Sequence, residues 1–164
     1  MASFLRYGML KILLIASGTK MHGWVQEASQ VYSAHLKEFC QFSLIEFPLE
    51  KRIKSHNIEQ YKEKEATKIT QCLPKNSYNI ALDSQGIKLS SIKLAEKLAH
   101  IELNASQICF IIGGPDGLSA RILKNAHEIW SLSDLTFSHP LVRVVILEAI
   151  YRGLAINNNH PYHR

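Results

Sequence analysis

The chain has 164 residues, 46% of them hydrophobic and 20% charged, with 8 Gly and 5 Pro. That length is the usual size of one compact domain, and the composition excludes disordered, collagen-like and linker-rich classes. Nineteen Lys and Arg against fourteen Asp and Glu leave a formal charge of +5, with eight His besides, a balance that suits an anionic partner.

Residues 1–8 carry no periodic pattern and are expected to be an N-terminal extension, with residues 9–164 forming one domain. Arg6 precedes an apolar stretch, as in a secretory signal, but Lys11 interrupts it and no A-x-A cleavage pattern follows. Residues 10–16 (LKILLIA), closed by Ser17-Gly18, predict a strand buried on both faces. Trp24, Ala28, Val31, Tyr32, Leu36 and Phe39 recur at helical spacing and predict an amphipathic helix over 22–39. Residues 41–47 alternate as a strand that stops at Pro48. From 51 to 75, seven Lys and Arg stand against three Glu, with Ile58, Tyr61, Ile69, Cys72 and Leu73 as a sparse apolar stripe. This predicts a loop followed by an exposed basic helix.

The alternation continues with strand 78–83, helix 91–102, strand 107–112, helix 118–127, short strand 129–132 and a last helix over 140–156. Five strands separated by helices predict an α/β domain with a mainly parallel sheet flanked by helices. In the last helix Leu141, Val145, Ala149 and Ile150 line one side and Val144, Leu147 and Tyr151 another, leaving Arg143, Glu148 and Arg152 as its polar surface. Those charges exclude a membrane span. A helix apolar nearly all round must be covered twice; the sheet covers one side, and a second copy of the chain is expected on the other, making a homodimer. Cys40, Cys72 and Cys109 are odd in number, widely spaced and without C-x-x-C. Neither a disulfide framework nor a zinc cluster follows, and a reducing cytoplasm is the expected location.

Three segments carry possible chemistry. Residues 111–119 (IIGGPDGLS) run from a strand through a Gly-rich turn into a helix; ligands bind at such strand ends, yet Pro-Asp-Gly is also an ordinary β-turn. The segment lacks the Lys-Ser/Thr of a P-loop and the G-x-G-x-x-G of a dinucleotide site, so nucleotide hydrolysis and nicotinamide chemistry are excluded. Residues 132–137 follow a strand in the same way, and read either as a ligand loop or as a plain connection. The tail, residues 157–164 (NNNHPYHR), collects groups suited to phosphate contact, base stacking and proton handling. A metal reading of His139, His160 and His163 is disfavoured because no carboxylate or thiolate lies nearby in sequence. Arg152 has a plain alternative, an i,i+4 pair with Glu148.

Taken together, residues 112–119 (IGGPDGLS), 130–133 (WSLS), 138–144 (SHPLVRV) and 159–164 (NHPYHR), with 16–21 (ASGTKM) and Lys51-Arg52, closely resemble the RlmH family. These are bacterial pseudouridine N3-methyltransferases of large-subunit (23S) ribosomal RNA, of the SPOUT class. The resemblance covers residues 9–164 and implies a SPOUT-type α/β fold with a deep trefoil knot in the C-terminal part, a homodimer, and S-adenosylmethionine as methyl donor with no metal. It implies a cofactor pocket of Leu82, Gly113, Leu132, Ser133, Asp134, Leu135, Thr136 and Phe137, in which Asp134 is a polar choice where small or apolar residues are expected. Arg152, Tyr162, His163 and Arg164 are expected to form the catalytic edge, with His163 or Tyr162 helping remove the N3 proton and the arginines holding phosphate or the developing negative oxygen. Lys51, Arg52, Lys54 and His160 are expected to contact RNA, with the assembled ribosome as the target.

Two rival functions remain at this level: a SPOUT methyltransferase acting on another RNA nucleotide, and a non-catalytic ribosome-binding protein with a degenerate pocket. The tail motif argues against the first and the intact Gly113-Gly114 turn against the second. A small-molecule α/β enzyme is a third, told apart by its lack of salt-sensitive ribosome affinity.

Overall fold

The computed structural model describes residues 8–55 and 57–164; residues 1–7 of the expected extension lie outside the described residues. Five strands alternate with five helices: β1 (Lys11–Ser17), α1 (Gly23–Leu36), β2 (Gln41–Phe47), α2 (Ile58–Cys72), β3 (Tyr78–Lys88), α3 (Ser91–Asn104), β4 (Gln107–Ile112), α4 (Ala120–Asn125), β5 (Glu128–Ser131) and α5 (His139–Asn157). The strands form one sheet in the order β2-β1-β4-β3-β5, and every pairing is parallel. All strand C-termini therefore face one edge, where loops gather to form ligand sites in open α/β sheets.

Because side chains alternate across a strand, each strand feeds two cores. Ile12, Leu14, Ile80, Ile108 and Phe110 point to the layer of α1, α3 and α5, where they meet Leu36, Leu94, Leu98, Ile146 and Ile150. Leu13, Ile15, Ala81, Cys109 and Ile111 point to the layer of α2 and α4, against Ala66, Ile69, Leu118 and Ile122. A sheet covered on both faces requires the continuous aliphatic runs seen in β1 and β4. Burial also pushes the Cys40 and Cys109 thiols up to about 12, so both act as core packing.

Several predicted boundaries and faces move. In α1 the buried residues are Val25, Ser29 and Leu36, whereas Trp24 and Val31 of the predicted stripe are 53% and 47% exposed. The helical period was right, but the single chain covers only part of the stripe. In α2 the capping box of Asn57 with Gln60 sets the start, and Tyr61, Glu65, Ala66 and Ile69 are buried while Ile58 is exposed. Helix α4 is shorter than its pattern: the Ser119 hydroxyl accepts from the Ile122 amide and fixes the N-terminus after Leu118.

Strand β3 extends beyond Asp83 to Lys88, with a break in register: Leu82 and Ile87 both oppose Trp130 on β5. Residues 83–86 bulge outwards between these pairings. Gly86 permits it, because a Cβ there would lie 2.5 Å from the Trp130 carbonyl carbon.

Arg143, expected on the polar surface of the last helix, is only 2% exposed. Its guanidinium pairs with Glu46 on β2 and donates to the Gly18 carbonyl at 3.0 Å. The return of α5 onto α1 and α3, after β5 has closed the sheet edge, is consistent with the knotted ending implied by the resemblance.

Candidate active site

At the C-terminal ends of β3 and β5 a cavity is lined by Leu82, Asp83, Ser84, Trp130, Ser131, Leu132, Ser133, Leu135, Thr136, Phe137 and Val142. Three elements build it. Strand β5 ends in Ser131, whose hydroxyl donates to the Ser133 carbonyl at 3.0 Å, and the Ser133 hydroxyl accepts from the Leu135 amide at 3.0 Å. These two bonds coil residues 131–135 into a compact loop instead of a loose connection. The β3 bulge brings Asp83 and Ser84 to the opposite wall, and Val142 enters from the first turn of α5. Apolar walls with a few hydroxyl and main-chain groups are the lining a purine-bearing ligand requires, so these residues fit an S-adenosylmethionine molecule.

Six of the eight expected cofactor residues thus share one cavity: Leu82, Leu132, Ser133, Leu135, Thr136 and Phe137. Asp134 does not join them. Its side chain is 82% exposed and is paired with Lys88 at the end of β3, on the solvent side of the loop that lines the cavity. Gly113 also stands off the lining. It is buried at the end of β4, and a Cβ there would lie 2.7 Å from the Gly117 carbonyl carbon and 2.9 Å from the Leu118 amide. The Gly114 carbonyl accepts from the Gly117 amide at 3.0 Å, closing residues 113–117 into the β-turn reading of Pro-Asp-Gly. Glu65 of α2 is set against this turn. Burial pushes its carboxyl above the usual range, and the Ser17 hydroxyl and Gly114 amide nearby act in the opposite sense.

The tail forms a second cluster on one side of α5. Arg152 donates twice to one oxygen of Glu148, at 2.9 and 2.7 Å, so the i,i+4 pair exists. The same oxygen accepts from the Tyr162 hydroxyl at 3.1 Å. The Arg152 guanidinium lies 4.7 Å from the Tyr162 ring centre, and its Nη1 is 3.3 Å from His163 Nδ1. Burial, aided by hydrogen bonds to Tyr32 and Glu148, pushes Tyr162 up to about 12. Its phenol therefore carries its proton at neutral pH and donates it in a hydrogen bond to Glu148. His160 packs edge-on to Phe39 at 5.7 Å, and its Nδ1 accepts from the Tyr162 amide at 3.3 Å. Arg164 is exposed at the end of the chain.

Within one chain these two clusters are apart. Val142 touches the cavity and Arg152 stands ten residues later on the same helix, an axial distance of about 15 Å at 1.5 Å per residue. The basic loop lies elsewhere again: Lys51 and Lys54 are exposed, while Arg52 pairs with Asp116 and sits 4.4 Å over the Tyr61 ring. His139 opens α5, whereas His160 and His163 follow its far end, and among the described residues no group of three His, Cys, Asp or Glu is placed to hold a metal.

Comparison with known proteins decides the family. The profile described as "Predicted SPOUT methyltransferase" matches residues 10–163. The chain belongs to the SPOUT methyltransferase family. It is similar to the "Ribosomal RNA large subunit methyltransferase H" of Legionella pneumophila strain Paris, with 47% identity over 156 residues, 95% of this chain and 100% of the relative. Proteins of the same name from Saccharophagus degradans and Hydrogenovibrio crunogenus are 43% and 40% identical over 155 residues, 94% of this chain and 100% and 99% of theirs. The RlmH resemblance read from the motifs is thereby borne out, and the chain is a methyltransferase. Cavity residues that sequence reasoning missed are Asp83, Ser84, Trp130, Ser131 and Val142; Glu148, read there only as a pair for Arg152, also holds Tyr162.

Proposed function

We propose that this SPOUT methyltransferase transfers a methyl group from S-adenosylmethionine to N3 of a pseudouridine in 23S ribosomal RNA, acting in the cytoplasm on the assembled ribosome as a homodimer. The full-length similarity to large-subunit ribosomal RNA methyltransferases is the observation that carries this reading. The donor supplies an electrophilic methyl carbon; the protein's own work is to hold the base in line with it and to favour loss of the N3 proton. Leu82, Leu132, Leu135 and Phe137 suit the adenine, and Ser131, Ser133 and Thr136 suit polar contacts. In the tail, His163 is the better candidate for taking the proton, since Tyr162 is held protonated. Arg152 and Arg164 then face phosphate or the developing negative oxygen, and Lys51, Arg52, Lys54 and His160 provide RNA contacts.

Two features support the dimer. The RlmH resemblance implies that the tail of one chain completes the pocket of the other, and within one chain Arg152 stands about 15 Å along α5 from Val142 of the cavity. The half-buried Leu141, Val144 and Val145 of α5 and the exposed Trp24 and Val31 of α1 offer the apolar surface such a contact needs.

The test is incubation with labelled S-adenosylmethionine and ribosomes lacking the modification, beside free ribosomal RNA, with nucleoside mass spectrometry of the product. N3-methylpseudouridine on ribosomes alone is expected. Label in another nucleoside would favour a SPOUT enzyme of different target, and cofactor-free ribosome binding without label would favour the non-catalytic reading.

A further inference from the structure

Asp83 contributes the one carboxylate among eleven residues that line the cavity, and the other ten carry no charged side chain. Its position is set by the β3 bulge, where its Oδ1 accepts from the Gln85 amide at 2.9 Å. Trp130, Leu82, Leu132 and Phe137 line the same cavity beside this half-buried carboxylate, so a cation seated there would find one negative partner in a partly apolar setting. Among the described residues no cation is ion-paired with Asp83, and Lys88, the cation nearest to it along β3, is held outside the cavity by Asp134. Asp134, otherwise unexplained in the cofactor loop, thereby offsets a charge that would oppose a cationic ligand. We propose that Asp83 is a specificity residue for the methyl donor, whose carboxylate recognises the cationic end of the molecule. Two groups share that chemistry, the ammonium of the methionine part and the sulfonium. The inference rests on the methyl-donor reading above.

Calorimetry on the full-length protein tests it with three probes: S-adenosylmethionine, with both cations; S-adenosylhomocysteine, with the ammonium alone; and methylthioadenosine, with neither. Asp83→Asn keeps the acceptor for the Gln85 amide and removes only the charge. About a tenfold loss of S-adenosylmethionine affinity is expected, the size of one charge-assisted hydrogen bond, with methylthioadenosine changed by less than about twofold. A matching loss for S-adenosylhomocysteine assigns the contact to the ammonium, and its sparing assigns it to the sulfonium. Equal losses for S-adenosylmethionine and methylthioadenosine, or no loss for either, would overturn the proposal. Should Asp83→Asn unfold, the wild-type protein still decides: S-adenosylmethionine affinity is expected to fall with added salt while methylthioadenosine affinity stays flat, and parallel behaviour of the two would count against Asp83. Wild-type protein that binds none of the three would sink the donor reading itself.

Discussion

Gly113 lacks a side chain because the turn it opens folds back on it, with Gly117 and Leu118 backbone atoms inside 3.0 Å of where a Cβ would stand. Backbone cannot swing aside as a flexible side chain can, so Gly113→Ala is expected to cost about 1–3 kcal/mol, read from the midpoint of denaturant unfolding. A change below about half a kcal/mol would mean that the turn has slack. Tyr162 gives a pH prediction with a definite sign. Its phenol is pushed from 10.0 up to about 12 in the folded chain, so between these values the unfolded chain releases a proton that the folded chain keeps. Stability is therefore lost as pH rises from about 10 towards 12, and Tyr162→Phe is expected to lose less over that window in parallel alkaline unfolding curves. The same variant should keep the neutral arm of the methylation pH profile, because a protonated phenol is no base there; disappearance of that arm would return Tyr162 to the role of proton acceptor.

Among the elements, the alternation of strands and helices was legible because a two-faced parallel sheet demands continuous apolar runs and its helices demand a period of 3.6. The loop over 132–137 was named from family motifs, and five of its six residues line one cavity together with Leu82 of β3. What escaped the sequence depended on distant partners. Arg143 reads as a surface charge until Glu46, 97 residues away, is brought beside it, and Glu65 is hidden in a stretch whose composition is basic. The β3 bulge that carries Asp83 and Ser84 was hidden because its cause is the packing of Gly86 on β5. Helix α1 shows the limit of periodicity: Trp24 and Val31 fit the apolar stripe but stay exposed in one chain. If a second copy covers them, Trp24→Ser with Val31→Ser leaves the thermal midpoint of the isolated fold nearly unchanged and weakens self-association at least about tenfold, as sedimentation equilibrium would measure. An unchanged association constant would place the contact elsewhere.

At the scale of the whole molecule, the tail cluster and the cavity stand apart within one chain, and the proposed homodimer would bring them together. Each site would then draw its donor pocket from one chain and Arg152, His163 and Arg164 from the other. Mixing two inactive variants measures this most directly. One carries a filled pocket, Thr136→Trp; the other carries a disabled tail, Arg152→Ala with His163→Ala. Random re-pairing makes about half of the dimers mixed, and in each of these one of the two sites is intact, so a 1:1 mixture is expected to recover about one quarter of wild-type ribosome methylation. A mixture that stays inactive, while sedimentation shows the two chains exchanging partners, would contradict the shared site and place pocket and tail chemistry within a single chain.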